Sequence, residues 1–249
     1  MRSRQWLLRG ASLLGLVLVW AIAAWIAAAP MLPAPQQVLA SAWQHSLSGE
    51  LPYHLSTTLA RVLVSFLLAM SIGTAIGIAM GRYRRLDIAL DGALVLGLNI
   101  PALVTIILCY IWFGLTEVAA VIAVSVNKIP TVAVTVREGA RAVDLRLLAV
   151  AQAYRLPPWR KLWKVYLPQL YPYLMAAARG GLALIWKIVL VVELLGRSNG
   201  VGFQLHSYYQ FFDITSILAY TLAFAAVVLL VEALIMRPLE NRLTRWRDA

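Results

Sequence analysis

The sequence has one cysteine, three histidines and half as many acidic as basic residues, and each shortage excludes something. The lone thiol of Cys109 forms no intrachain disulfide. His45, His54 and His206 are too scattered to predict a metal site. The chain also lacks a G-x-x-x-x-G-K-[ST] phosphate loop and a glycine-flanked nucleophilic serine. We therefore predict that it is not an enzyme and that any energy it uses comes from elsewhere.

Apolar residues are abundant instead. They occupy 61% of the 249 positions, and the mean hydropathy of +0.77 lies outside the range of soluble domains. A run of about 20 apolar residues can cross a bilayer. We predict an all-α membrane protein in which residues 1–249 form one domain with six transmembrane helices, at about 11–29, 58–80, 93–113, 118–136, 173–195 and 214–236.

The first apolar run resembles a signal peptide because arginines precede it. Its apolar core exceeds the roughly 7–15 residues of a cleaved signal, so we predict an uncleaved span. Residues 30–57 hold no Lys or Arg and are expected outside the cytoplasm, with a short amphipathic helix near 38–46.

Glycines in the second span and prolines in the third and fourth predict how these helices pack and bend. Pro101 and Pro130 predict breaks in the third and fourth spans, at 99–101 and 127–130. Gly73, Gly77 and Gly81 form a small-residue ridge that allows close helix approach. We expect this ridge to pack against another helix, either within the chain or at a homodimer seam.

The basic residues predict the orientation. Seventeen of the 22 Lys and Arg residues fall in segments on one side of the predicted membrane, and only Arg197 falls on the other. Because positively charged loops stay in the cytoplasm, both termini and the loop 137–168 are predicted to be cytoplasmic. The formal net charge of +11 then reflects topology, and we do not expect nucleic-acid binding. Four basic residues lie in or at the ends of spans: Arg61, Lys128, Arg179 and Lys187.

The loop 137–168 is predicted to be a helix–turn–helix. From Arg137 onward the apolar side chains fall on one arc of a helix, and charged residues that include Asp144 fall on the adjoining arc. Pro157 and Pro158 end this helix. A second short helix has the apolar spacing typical of a membrane–water interface, with Trp159, Leu162, Trp163 and Tyr166 on one face.

These features resemble a known family. Glu138-Gly139-Ala140, the amphipathic helix after them, the turn and Leu167-Pro168 are similar to the cytoplasmic EAA loop of bacterial ABC importer permeases. The likeness to nitrate/sulfonate/taurine-type permeases covers about residues 30–240 and includes 32–35, 49–51 with His54 and Thr57, 192–196 and 200–202. Two positions differ from the family pattern. Gly139 replaces an alanine, and the turn glycine near Arg155 is missing, so we expect the turn to be built from 156–158 instead.

The resemblance implies an importer subunit in the bacterial inner (plasma) membrane. It would work as a homodimer with two ATP-binding subunits and an extracytoplasmic solute-binding protein, and ATP and Mg²⁺ would bind in the ATPase subunit, with no cofactor in this chain. Glu138 would accept bonds from that subunit or brace the loop. Leu167 and Pro168 would set the angle at which the fifth span returns to the membrane. The expected docking residues are Glu138, Gly139, Ala140, Arg141, Asp144, Leu147, Leu148, Arg155, Leu167 and Pro168.

Polar groups inside spans are expected along a solute path because they are costly against lipid. Lys128 would meet a passing anion such as a sulfonate, taurine or nitrate, or it would form a structural ion pair, for instance with Glu193. Buried asparagines would line the path or bridge helices. The path candidates are Asn99, Asn127, Lys128, Lys187 and Glu193.

A second function class stays open from the residues alone. Broken helices together with Lys128, Lys187 and Glu193 would also suit a self-contained secondary transporter or channel. The spans show no matching inverted half, which favours the importer. A membrane enzyme is disfavoured because no catalytic constellation is present.

Overall fold

The computed structural model describes residues 2–27 and 31–244, and the regular elements in them are all helical. In chain order these are α1 (Arg2–Ala27), α2 (Pro35–Leu47), α3 (Glu50–Arg82), α4 (Arg84–Asn99), α5 (Ala102–Phe113), α6 (Glu117–Arg141), α7 (Leu145–Ala153), α8 (Pro158–Lys161), a π segment (Leu162–Tyr166), α9 (Leu167–Gly196), α10 (Val201–Gln210), α11 (Ile214–Val231), a second π segment (Glu232–Met236) and α12 (Arg237–Thr244). The short helix predicted near 38–46 is α2.

Within the described residues, four helices are long and apolar enough to cross a membrane: α3, α6, Pro158–Gly196 and Ile214–Glu240. α4 and α5 pass the same test only as a pair, which bends by 98°. The break predicted at 99–101 is therefore confirmed, because Pro101 holds Ile100 in an extended conformation. The described apolar part of α1, Leu14–Ala27, is shorter than a span, and residues 28 and 29 of the first predicted span lie outside the described residues.

The core lies where α3, α6 and α9 meet. Ala123 of α6, Ile185 of α9 and Val62 of α3 belong to its largest buried cluster. Alanines on α6 keep the two neighbouring helices close to its axis, so α6 is the central helix of the bundle.

The glycine ridge of α3 packs within the chain. A Cβ added at Gly77 would lie 2.6 Å from the carbonyl oxygen of Ala133 on α6, and Gly73 and Gly81 approach α6 as closely. Because α6 covers this face of α3, the ridge is not a seam between two copies.

We expect Gly77→Ala to lower the free energy of unfolding by about 1–3 kcal/mol. The new methyl would meet a backbone carbonyl that cannot move without displacing α6. The matched control is Gly180→Ala in the middle of α9, where an added Cβ meets nothing within 4 Å. Unfolding of the detergent-solubilised variants, followed by circular dichroism, compares the two, and equal effects would contradict this packing.

The break predicted at 127–130 is wrong. α6 is continuous, with Pro130 inside it. Pro130 removes one backbone hydrogen bond, but its ring packs on Gly97 of α4, where an added Cβ would lie 2.8 Å from Pro130 Cγ. Packing of α6 against α3, α4 and α9 outweighs the lost bond.

The second loop helix is also wrong as a separate element, because α8 and the first π segment continue into α9 without interruption. Pro168 explains the π turn. Its ring excludes the carbonyl four residues earlier, so the backbone widens and Leu167 N–H donates to the Leu162 carbonyl. The second π segment ends at the same offset before Pro238.

Candidate functional site

The helix predicted from Arg137 onward is two elements. α6 ends at Arg141, and α7 begins after Asp144, whose carboxylate accepts a hydrogen bond from Arg146 N–H at 2.7 Å. The prediction of one helix placed Asp144 within it, whereas aspartate strongly prefers the N-cap. Glu138, Gly139, Ala140 and Arg141 therefore belong to the last turns of α6.

The inner face of α7 is fixed to the bundle. Leu148 packs against the buried side chains of Val143, Tyr166 and Leu170, and Leu167 joins the same cluster. This cluster also contacts α3 and the base of α9 through partly buried side chains. Leu148 and Leu167, both predicted docking residues, thus hold α7 in place from within the chain.

The outer face of α7 is apolar and exposed. Leu147, Val150 and Tyr154 are 49%, 53% and 79% exposed, and their spacing places them on one side of the helix. We call these three residues the α7 ridge. An exposed apolar ridge of this kind is typical of a surface that another protein covers.

The turn after α7 has a glycine-type backbone with an arginine in it. Arg155 has φ +50°, its N–H donates to the Gln152 carbonyl at 2.9 Å, and Leu156 N–H donates to the Ala151 carbonyl at 3.0 Å. These two bonds form a Schellman motif, in which the left-handed position is usually glycine. The turn is therefore built on Arg155, not on 156–158 as predicted, at a cost of about 1 kcal/mol relative to glycine.

Glu138 is bonded within the chain. Its carboxylate accepts hydrogen bonds from Arg137 Nε and Arg141 Nη1, both at 3.1 Å. The two arginines also reach α4, where Arg137 donates to Asp91 at 2.7 Å and Arg141 donates to Asp87. This arrangement braces the end of α6 against α4, while about half of the Glu138 side chain stays exposed.

Gly139 and Ala140 are small because neighbouring helices need the space. A Cβ at Gly139 would lie 2.5 Å from Cγ of Tyr173 on α9. The neighbouring residue on α6, Ala140, has its Cβ against Gly81 of α3. Their size therefore serves packing within the chain.

A second polar site lies at the opposite end of the bundle, around Glu193. This side chain is fully buried. Its carboxylate accepts hydrogen bonds from Arg61 Nη1 at 2.7 Å, from Thr58 Oγ1 at 2.9 Å and from Gly202 N–H at 2.8 Å. Charge-assisted bonds of this kind are the strong ones.

Arg61 extends the site to two further elements. It is 5% exposed and donates to Glu117 through Nε at 2.8 Å and Nη2 at 2.6 Å. It also donates to the Asn199 carbonyl at 2.9 Å. We call Thr58, Arg61, Glu117, Glu193 and Asn199 the outer network. It joins α3, α6, α9 and the loop before α10.

The glycines that follow Glu193 shape this site. Gly200 has φ +105°, and a Cβ there would overlap the Glu193 carboxylate. A Cβ at Gly202 would overlap the Leu190 carbonyl. Only glycine lets the backbone approach so closely.

The predicted path residues do not form one cluster. Asn99 is exposed and bonds to its own helix, and Asn127 is half-buried. Lys128 is 2% exposed, and its Nζ has no hydrogen-bond partner among the described residues. Its Cε lies beside Gly181 of α9. The Lys128–Glu193 pair is not formed, because Glu193 is bonded to Arg61.

Lys187 lies on the surface of α9. It belongs to an exposed stripe with helical spacing, made up of Ala176, Gly180, Ala183, Lys187, Val191 and Leu194. Within the described chain the Lys187 side chain has no hydrogen bond or ion pair. A lone charge on an apolar helix faces water or protein rather than lipid. We therefore expect the α9 stripe to face water or protein rather than lipid.

The outer network contains two charged residues that the path candidates omit, Arg61 and Glu117. The available signal was Arg61 itself, because an arginine inside a predicted span requires an acidic partner. Its acids lie 56 and 132 residues away in sequence, beyond the reach of any local pattern.

A bundle of long apolar helices defines a multi-pass membrane protein, and comparison with known proteins identifies its family. Residues 69–244 match the binding-protein-dependent transport system inner membrane components. The chain belongs to this family, and the resemblance to importer permeases is confirmed.

Relatives of known name agree with this assignment. The chain is 31% identical to the putative aliphatic sulfonates transport permease protein SsuC of Bacillus subtilis (strain 168), over 90% of this chain and 81% of that protein. It is 30% identical to the taurine transport system permease protein TauC of Escherichia coli (strain K12), over 98% and 91%. A structure of the MetNI methionine ABC transporter in an inward-facing conformation has the same fold, with a TM-score of 0.66 at 19% identity over 78% of this chain and 98% of that one.

Proposed function

We propose that this chain is the membrane-spanning subunit of an ABC importer, driven by ATP hydrolysis in a separate subunit that docks on residues 137–168. The α7 ridge is the observation that carries the proposal. It exposes Leu147, Val150 and Tyr154 on a helix that packs through Leu148 on the cluster of Val143, Tyr166 and Leu170 at the start of α9. A partner that moves the ridge therefore pushes, through this cluster, on the start of α9.

The proposed assembly contains a second copy of this chain, two ATP-binding subunits that hold ATP and Mg²⁺, and an extracytoplasmic solute-binding protein. In this assembly the chain crosses the bacterial inner membrane six times. Its basic segments, which include both termini and the loop 137–168, lie in the cytoplasm. In this assembly Glu138 and Arg141 brace α6 against α4, and the α7 ridge supplies the apolar contact with the ATPase.

The proposed solute is a small organic anion of the sulfonate or taurine type, a class that the names of the two relatives support. Lys187, exposed on the α9 stripe, would meet the anion first. Lys128 is the second cation and would be reached only when α6 and α9 separate near Gly181. Asn99 and Asn127 would contribute hydrogen bonds along the way.

Reconstitution tests the function directly. The chain, its ATPase subunit and its solute-binding protein are placed in proteoliposomes with labelled taurine or ethanesulfonate. We expect uptake that requires ATP and all three proteins, and that stops with a hydrolysis-deficient ATPase. Uptake by the chain alone, driven by an ion gradient, would contradict the proposal and favour a secondary transporter.

Lys187→Met should lower ATP-driven uptake of the anion about tenfold or more, since a hydrogen bond to a charged group is worth about 1.5–3 kcal/mol. Lys187→Arg keeps the charge and is the matched control. The rate is measured with saturating binding protein, so that solute capture does not limit it. Wild-type rates in Lys187→Met would remove Lys187 from the path.

A further inference from the structure

Beneath α7 lies a positively charged cleft of about 1080 Å³. The cations that line it are Arg82, Arg141, Arg155 and Lys161, and its described lining contains no Asp or Glu. Arg141 is bonded to Glu138 and Asp87. The side chains of the other three have no hydrogen bond or ion pair within the described chain, although Arg82 lies over the Tyr83 ring. The cleft therefore presents positive charge without a counter-charge.

The same cleft has an apolar wall. Val143, Leu148, Leu156 and Leu162 also line it. A small soluble anion would leave this wall uncovered. A ligand with an anionic head and an apolar tail would satisfy both surfaces.

Two exposed tryptophans lie on the helical segment that lines the cleft. Trp159 and Trp163 flank Lys161 and Leu162 on the same helical segment, with ring centroids 5.1 Å apart, and they are 67% and 48% exposed. Exposed tryptophans are enriched where a helix crosses the membrane–water interface.

The backbone at Arg155 is a third observation. An arginine occupies the left-handed position of the turn, where glycine would be unstrained, and its side chain lines the cleft. Strain retained at one position indicates that the side chain has a use there. The neighbouring cations suggest that this use is electrostatic.

We propose that this cleft binds the phosphate headgroup of an anionic phospholipid, with Arg82, Arg155 and Lys161 around the phosphate and an acyl chain along Leu156 and Leu162. Basic pockets on the cytoplasmic side of membrane helices bind such headgroups. The bound lipid fills the space between α7 and the end of α3, and so steadies the helix that carries the α7 ridge.

The test uses the full chain in nanodiscs of phosphatidylglycerol and phosphatidylcholine with the same acyl chains. Native mass spectrometry of the released chain counts the retained lipids. We expect selective retention of phosphatidylglycerol, and about a fivefold or greater loss of that selectivity in Arg155→Gly/Lys161→Gln. The glycine suits the positive φ of the turn, so this variant should fold. The matched control, Arg146→Gln/Arg160→Gln, removes the same charge from outside the cleft and should retain the lipid.

Two results would overturn the proposal. One is equal loss of lipid in both double variants, since the interaction would then be a general effect of charge. The other is protection of the wild-type chain from thermal unfolding by inorganic phosphate or ethanesulfonate as strongly as by phosphatidylglycerol, since the cleft would then bind small anions. No ATPase or transport step enters these measurements, so their failure is distinguishable from failure of the importer proposal.

Discussion

Glu193→Ala is expected to lower the free energy of unfolding by about 3–5 kcal/mol, because it removes one partner from a buried ion pair. The carboxylate is fully buried and accepts three hydrogen bonds. Without it, the Gly202 N–H is buried without its acceptor, and Arg61, 5% exposed, keeps only Glu117 as a charged partner. Chemical unfolding of the purified chain in detergent measures the loss.

Glu117→Ala is the matched control, because the same arginine loses an acid that is about half exposed. Water replaces an exposed partner at little cost, so the expected loss is about 1 kcal/mol or less. Glu193→Gln keeps the volume and can still accept from Gly202, and it should fall between the two. Equal losses in Glu193→Ala and Glu117→Ala would show that burial does not set the strength of the outer network.

The two proline-containing spans show what a local pattern can and cannot predict. Each has an asparagine and a proline within four residues, and both were predicted to break. The chain breaks at Pro101 but not at Pro130, because Pro130 packs on Gly97 within a helix held on several sides. A proline inside a helix costs a backbone hydrogen bond. Packing against neighbouring helices determines whether the helix stays continuous despite that loss.

The loop 137–168 and the buried charges also combine features that a local pattern predicts with features that tertiary packing decides. The end of α7 before Pro157 was predictable because proline cannot continue a helix, whereas the start of α7 at Asp144 requires recognising a cap inside an apparently continuous helical pattern. Lys128, Lys187 and Glu193 were expected to face a cavity or one another, but Glu193 pairs with Arg61, and the Lys128 Nζ is buried with no hydrogen-bond partner among the described residues. The choice of ion-pair partner depends on the packing of α3 against α9. This packing brings Arg61, and not Lys128, to the Glu193 carboxylate.

Leu147→Asp should abolish ATP-driven uptake while leaving the chain folded. Leu147 is 49% exposed on the α7 ridge, so the aspartate meets water in the free chain and an apolar groove in the proposed complex. Central contacts of an interface are worth about 2 kcal/mol or more, which corresponds to about a 30-fold or greater loss of affinity for the ATPase subunit.

The matched control for Leu147→Asp is Ala149→Asp, which adds the same residue to the same helix. Ala149 is exposed and lies about 200° around the helix from Leu147, off the ridge. The Ala149→Asp variant should therefore bind the ATPase subunit as the wild type does. Co-purification and binding kinetics with the ATPase subunit measure the affinity, and unfolding in detergent checks that both variants are folded. If Leu147→Asp binds normally, or if Ala149→Asp loses binding equally, the ridge is not the docking surface and the path of force from the ATPase to α3 and α9 lies elsewhere.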